Sequence, residues 1–590
     1  MTWSPKRLSL GFEPGELHQY EPPGRRRETA SRPGRQWMFW RLAVVALVGA
    51  CLAVTQGTNY SHHFHAHLAK HRILLNLQEQ PALRFTFELK RKAMYVHGVS
   101  TFDVVAVPAP KRSADDGRMV YDGIASFEQD GDCHEYSLVN GVTYYTRRPN
   151  GQEVQSGCLP SGFVPPIHSV LDAIYTATTA NPLMSSSDKC PRGSILVFQF
   201  ADEDFVLCSG RSSWPWDPDD GFQIFGKDLN IDVKYEQSPP TIVAPHVSTE
   251  ELTSCGVVPF GDRVSTSLPS MVSRSFSEWG HRALRAERAQ SNIFEKAWDL
   301  ITDDSCGCKG ARRECVFVAG LISFEERGLT NDDPHSYFGD SIGDHSPCCL
   351  SRKYITVNAR DKLWTSPDIQ KRLVDLLLKV SRTSDATTRT VKDTIIVGHS
   401  MANVILAGAI AKKTVKLDPS TSWVAASTPM QGSMGSNYIQ QSCHGERTAF
   451  VASIIDLLGN CPVNTGEVSL TYKNSNLSTP ELDNAYTAAQ AAYVANVDAV
   501  ICSDSFAGLV TVKAAIYALA GKVVPHHSSR NDGIVEFSSC AMGLPPETFG
   551  TSYKSPRYMA KLNHVDTSFR NGDGFFSDAK KPLKWFECLL

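Results

Sequence analysis

The chain has 590 residues, with 59 Lys and Arg against 62 Asp and Glu and 42% hydrophobic side chains. That length exceeds a single core and predicts about two to four domains. A formal charge of −3 gives no electrostatic case for nucleic acid, so that class of partner is excluded.

Residues 1–36 are rich in Arg, Pro and Gly, lack an apolar period, and read as a disordered basic tail. Residues 37–57 contain an uncharged run over 42–54 behind Arg41. It suits the core of a signal sequence and is short for a spanning helix. Lys6, Arg7, Arg25, Arg26, Arg27, Arg32 and Arg35 precede it, which keeps the N-terminus cytoplasmic. Two outcomes fit: a cleaved signal sequence, or a type II signal anchor that leaves the bulk of the chain lumenal or extracellular. A chain starting at Met38 would also read as a compact signal peptide. In each case the remainder enters the secretory pathway.

Cysteine usage points the same way. Sixteen cysteines are present, and fifteen remain once Cys51, within the apolar run, is set aside. Cys306 with Cys308, and Cys348 with Cys349, lack the paired spacing of a zinc site and read as disulfide partners of open connectivity. Asn59-Tyr60-Ser61 and Asn476-Leu477-Ser478 are glycosylation acceptors by sequence.

Residues 60–245 read as a β-rich lumenal domain of unknown role. Leu83, Phe85, Phe87 and Leu89 alternate with polar residues, as do Leu229, Ile231, Val233 and Tyr235. Asn140-Gly141 between two β-branched and aromatic runs is a hairpin signal. Ile167, Val170, Leu171 and Ile174 have helical spacing, and the aspartates over 216–220 read as an acidic turn. A proline-rich stretch over 238–245 marks a boundary, and 246–310 reads as a linker with a charged helix over 277–301.

Over 311–590 strands and helices alternate. Cys315-Val316-Phe317-Val318 and Tyr354-Ile355-Thr356-Val357 are buried runs, and Ser366-Pro367-Asp368 opens a helix with cap, proline and acid in sequence. Thr394-Ile395-Ile396-Val397 then breaks at Gly398, presents Ser400, and continues into an alanine-rich apolar segment. Strand, sharp turn and helix in that order form a nucleophile elbow, with Gly398 and Ala402 as the small residues flanking the serine. Asn531-Asp532-Gly533-Ile534-Val535 places an acid in a tight turn, and Asn563-His564-Val565-Asp566 supplies a later histidine.

The elbow, the acid turn and the late histidine resemble the α/β-hydrolase family of lipases and esterases, over about the C-terminal half. The resemblance implies an α/β fold: a mostly parallel sheet with helices on both faces, here preceded by the antiparallel β-rich domain. It implies Ser400 as nucleophile, His564 as base and Asp532 as the acid that orients it. It also implies an oxyanion hole from the Met401 and Leu321 amides, although Ala319-Gly320 stands where many relatives carry His-Gly. An insertion at about 436–520, with apolar runs over 450–458 and 485–500, would form a cap over the pocket. His526, His527, Asp566 and Asp418 compete for the base and acid roles, and His399 reads as loop packing.

The function expected is a serine hydrolase of carboxylic esters, lipid esters included, acting through an acyl-enzyme without metal or organic cofactor. The alternatives are a non-catalytic binding scaffold on the same fold, or an acyltransferase. Partners are the ester and, if the N-terminal segment is uncleaved, a membrane. The oligomeric state is open.

Overall fold

The computed structural model describes residues 66–108, 120–149, 154–179, 190, 194–209, 221–247, 255–258, 305–321, 325–443, 461–511 and 514–590. The basic tail, the apolar segment at 37–57, the Asn59 acceptor, the acidic turn at 216–220, the expected helix at 277–301 and the apolar run at 450–458 lie outside these residues.

Among the described residues the larger sheet has eleven strands: β1 (Ala82–Leu89), β2 (Thr101–Pro108), β3 (Tyr121–Gln129), β4 (Asp132–Val139), β5 (Val142–Arg148), β6 (Gln155–Cys158), β7 (Thr178–Thr179), β8 (Ile195–Phe200), β9 (Glu203–Ser209), β10 (Gly221–Phe225) and β11 (Leu229–Glu236). Their spatial order is 6-5-4-3-2-1-11-10-9-8-7. Each pairing is antiparallel, and β1 lies between β2 and β11, with Phe85 opposite both Val104 and Val233. The period-2 pattern sends Leu83, Phe85, Leu229, Ile231 and Val233 to one buried cluster. Asn140-Gly141 turns β4 into β5, and the expected helix is a 3-10 turn at Ile167–Ser169 running into Val170–Thr176.

The second sheet comprises β12 (Arg313–Val318), β13 (Gly328–Thr330), β14 (Cys349–Thr356), β16 (Thr394–His399), β18 (Ser422–Ala426), β19 (Ala499–Ser503) and β20 (Arg557–Ala560), in the order 13-14-12-16-18-19-20. Two short strands, β15 (Thr390–Val391) and β17 (Lys416–Leu417), pair beside it. β13 runs antiparallel to β14, so this sheet is mixed.

These pairings correct the expected fold class. The largest sheet among the described residues is antiparallel and the second is mixed. Among the described residues no α-helix joins β12 to β14; the 3-10 turns Pro334–Ser336 and Asp340–Gly343 lie there instead. An α/β-hydrolase-type assignment is therefore not carried by this structure. The physical reason is that apolar periodicity identifies a buried run without fixing the direction in which it pairs.

The helices beside the second sheet follow local chemistry. Ser366 Oγ accepts from the Asp368 amide at 3.3 Å ahead of helix Pro367–Leu377, which buries Ile369, Leu373, Val374, Leu376 and Leu377. Helix Met401–Ala411 is apolar around nearly its whole circumference and is buried over Met401 to Ala409. All the described residues belong to one compact unit, His62–Leu590.

Seven disulfides tie the described residues: Cys158–Cys255, Cys190–Cys208, Cys306–Cys588, Cys308–Cys348, Cys315–Cys349, Cys443–Cys461 and Cys502–Cys540. Such density belongs to an extracellular or secretory-pathway protein. No described helix is long and apolar enough to cross a membrane. Glu587 approaches Cys306 and Cys588, but both sulfurs are spent in their mutual disulfide.

Glu587 has a consequence for acid stability. Burial acts to raise its carboxyl, but His345 Nδ1 at 2.5 Å, the Cys306 amide at 2.8 Å and Lys584 at 3.1 Å bring it down to about 2. Its contribution is therefore complete above the ordinary value of 4.5 and is lost as pH falls towards about 2. Glu587→Gln is expected to flatten the acid limb of the melting-temperature profile across that window. An unchanged limb would assign acid sensitivity to other groups.

Candidate active site

The turn between β16 and helix Met401–Ala411 holds Ser400 at φ 53°, ψ −126°, a conformation costly for a residue with a Cβ. Two backbone features fix it. The Ser400 amide donates to Ala426 O at 2.8 Å, and the Asn403 amide donates to Ser400 O at 3.1 Å. Asn403 then reaches under the turn, donating to Gly398 O at 2.9 Å and accepting from Trp423 Nε1 at 3.0 Å. A Cβ on Gly398 would stand 2.2 Å from Asn403 Oδ1, so only glycine allows this approach. Gly320, after β12, is constrained from the other side. A Cβ there would lie 2.9 Å from Ser400 Cβ and 2.8 Å from His399 O.

Asp532 is 1% exposed and occupies a turn that its own side chain closes. Its Oδ1 accepts from the amides of Ile534 at 3.0 Å and Val535 at 2.7 Å. The other oxygen, Oδ2, faces His564 Nδ1 at 2.8 Å, and His564 Nε2 stands 3.0 Å from Ser400 Oγ. The His564 amide also donates to Asp532 O at 2.9 Å, which fixes the two loops together. Burial opposes the charge on Asp532, but the adjacent His564, the Val535 amide and Ser427 hold its carboxyl below the ordinary range.

Met401 and Leu321 flank Ser400 in sequence and in space respectively, and neither amide donates to a partner among the described residues. A cavity of about 470 Å³ opens over Ser400 and His564, with Leu321, Tyr337, Glu467 and Arg570 in its wall. Burial pushes the Glu467 carboxyl up to about 7.

The competing residues sit elsewhere. His526 Nδ1 and His527 Nδ1 each lie 3.6 Å from Glu536 Oε1. Asp566 accepts from the Leu509 amide and from Asn571 Nδ2, both at 2.7 Å, and so closes its own loop. Asp418 accepts from the Ser420 amide at 3.0 Å.

Sequence reasoning overlooked Ser427, Thr567 and Tyr337. Ser427 Oγ accepts from Thr567 Oγ1 at 2.7 Å and also hydrogen-bonds Asp532. Its signal was available: a polar residue directly after the buried strand Ser422–Ala426. Tyr337 carries no such mark, because its segment has no apolar period.

No protein-family model and no curated protein matches the chain. Among solved structures it is similar to the lipase BlEst2 of Bacillus licheniformis in mature form, at 13% identity and TM-score 0.29, over 46% of this chain and 91% of that one. The propeptide form of the same lipase gives 12% identity and TM-score 0.27, over 44% of this chain and 49% of that one. LprF from Mycobacterium bovis gives 11% identity and TM-score 0.19, over 30% of this chain and 96% of that one. Likeness this distant carries no argument about activity.

Proposed function

We propose that this chain is a serine hydrolase of carboxylic esters that works through an acyl-enzyme. The observation that supports the reading is one continuous path from a strained hydroxyl to a buried carboxylate: Ser400 Oγ to His564 Nε2 at 3.0 Å, then His564 Nδ1 to Asp532 Oδ2 at 2.8 Å. A serine hydroxyl alone is a poor nucleophile, and an imidazole both accepts and returns a proton near neutral pH.

Ser400 Oγ attacks the ester carbonyl while its proton passes to His564 Nε2. The carbonyl oxygen becomes an oxyanion, and the Met401 and Leu321 amides are its donors, each worth about 10²–10³ in rate in comparable sites. Asp532 holds the proton of Nδ1 and stabilises the imidazolium. Collapse breaks the C–O bond, and the leaving alcohol takes the proton from His564. Water then repeats the sequence on the acyl-serine, releasing the acid and restoring Ser400. The cavity of about 470 Å³ suits a substrate of drug-like size. The segment between β18 and β19, which supplies Ile439, Glu467 and Leu470 to its wall, selects that substrate. The segment at 37–57 directs the chain into the secretory pathway.

The test is covalent labelling of the full chain, produced through a secretory route, with a fluorophosphonate. Wild type is expected to label at one site and Ser400→Ala not at all. A folded wild type that does not label would remove the reading; labelling would justify an ester panel ordered by acyl length.

A further inference from the structure

Two side chains outside the proposed triad, the buried His399 and the partly buried Tyr337, connect its two sides. The Gly320 amide donates to Tyr337 Oη at 3.1 Å. An amide N–H only donates, so the tyrosine oxygen is the acceptor there. Tyr337 Oη also lies 2.7 Å from His399 Nδ1, and His399 Nε2 lies 3.0 Å from the carbonyl oxygen of His564. A carbonyl only accepts, so Nε2 carries a proton. Burial pushes His399 down to about 3, which keeps the ring neutral, and Nδ1 is then an acceptor for the tyrosine hydroxyl. The heavy atoms thus fix one direction throughout: Gly320 N–H to Tyr337, Tyr337 O–H to His399, and His399 Nε2–H to the His564 carbonyl.

Both ends of this chain are backbone atoms at the site. Gly320 precedes the Leu321 amide and packs against Ser400. The His564 carbonyl belongs to the residue whose ring faces Ser400 Oγ. Sheet pairing does not tie these two loops directly: β12 neighbours β14 and β16 in the interior, whereas His564 follows β20 at the edge, three strands beyond β16. Side chains must set their spacing.

Resting on the hydrolase reading, we propose that Tyr337 and His399 are positioning residues that lock the oxyanion side of the site to the loop of the base. A purely structural role would lower stability alone. A positioning role sets the base and one oxyanion donor at once, and both act on the transition state more than on bound ester, so it moves kcat with little change in KM.

Tyr337→Phe keeps the ring and leaves the Gly320 amide and His399 Nδ1 without their shared partner. It is expected to lower kcat about 10–100-fold, to change KM less than about threefold, and to slow fluorophosphonate labelling by a similar factor. His399→Gln still offers one acceptor and one donor and is expected to retain more activity than His399→Leu. Wild-type kcat in Tyr337→Phe, or a loss confined to KM, overturns the proposal. Should Tyr337→Phe fail to fold, equal activity in the two His399 variants overturns it instead. A wild type that does not label sinks the hydrolase reading as well; a wild type that labels beside unaltered variants sinks only the positioning role.

Discussion

Asp532→Asn is expected to lower kcat about 10⁴-fold while the protein stays folded. The argument rests on which oxygen does what. Oδ1 accepts two backbone hydrogens, from Ile534 at 3.0 Å and Val535 at 2.7 Å, so the amide oxygen of asparagine must take that position. The amide NH₂ then faces His564 Nδ1, where Oδ2 stood at 2.8 Å. An NH₂ only donates, and Nδ1 is forced to accept. The ring proton moves to Nε2, which points at Ser400 Oγ and is no longer free to take its proton. The turn keeps both backbone hydrogen bonds, so unfolding should change little. His564→Ala is expected to lose at least as much, and combining it with Asp532→Asn should add almost nothing, because the residues act as a unit. Steady-state ester hydrolysis with a melting curve for each variant decides it. A loss of less than about tenfold in a folded Asp532→Asn would place the orienting acid elsewhere.

Ser400, Asp532 and His564 are legible in the sequence because each sits in a local pattern: a β-branched run broken at Gly398, an acid followed by Gly533, a histidine after Asn563. Their order along the chain is readable for the same reason. Pairing partners are not. The alternation of Leu83, Phe85 and Phe87 marks a strand, but nothing in it says that β1 pairs with β11, far along the chain. The βαβ pattern after Cys315 likewise did not reveal that Gly328–Thr330 returns antiparallel along β14, and the expected fold class failed there. Disulfide partners such as Cys306 and Cys588 are set by tertiary geometry alone. Tyr337 and Ser427 matter through contacts with loops distant in sequence, so composition and periodicity do not single them out.

Lys581, the second of two lysines before Pro582, lies in no local pattern either, and it is almost wholly buried. Its Nζ lies 2.6 Å from Asp228 Oδ2 and also pairs with Glu203. Asp228 accepts in addition from Arg91 Nε at 2.8 Å, and Arg91 continues to Asp573 at 2.7 Å. Asp573 in turn accepts from the Leu583 amide at 2.7 Å, at the start of helix Pro582–Leu589. Five charges therefore join β9, the turn before β11 and the segment after β1 to the C-terminal helix. Lys581→Met fills the volume but leaves two buried carboxylates facing an apolar chain. It is expected to cost about 3–5 kcal/mol, the usual penalty for removing one partner of a buried ion pair. Among the described residues Glu203 has no other cation, whereas Asp228 keeps Arg91. Adding Glu203→Gln to Lys581→Met should therefore restore part of the loss, and adding Asp228→Asn should restore less, because it leaves Arg91 with Asp573 alone. Urea unfolding of the wild type and the three variants, compared at equal slope, measures both terms. If Lys581→Met unfolds with the wild-type midpoint, the cluster is solvated enough that its charges do not depend on one another, and the C-terminal helix is held by the Cys306–Cys588 disulfide and its apolar packing.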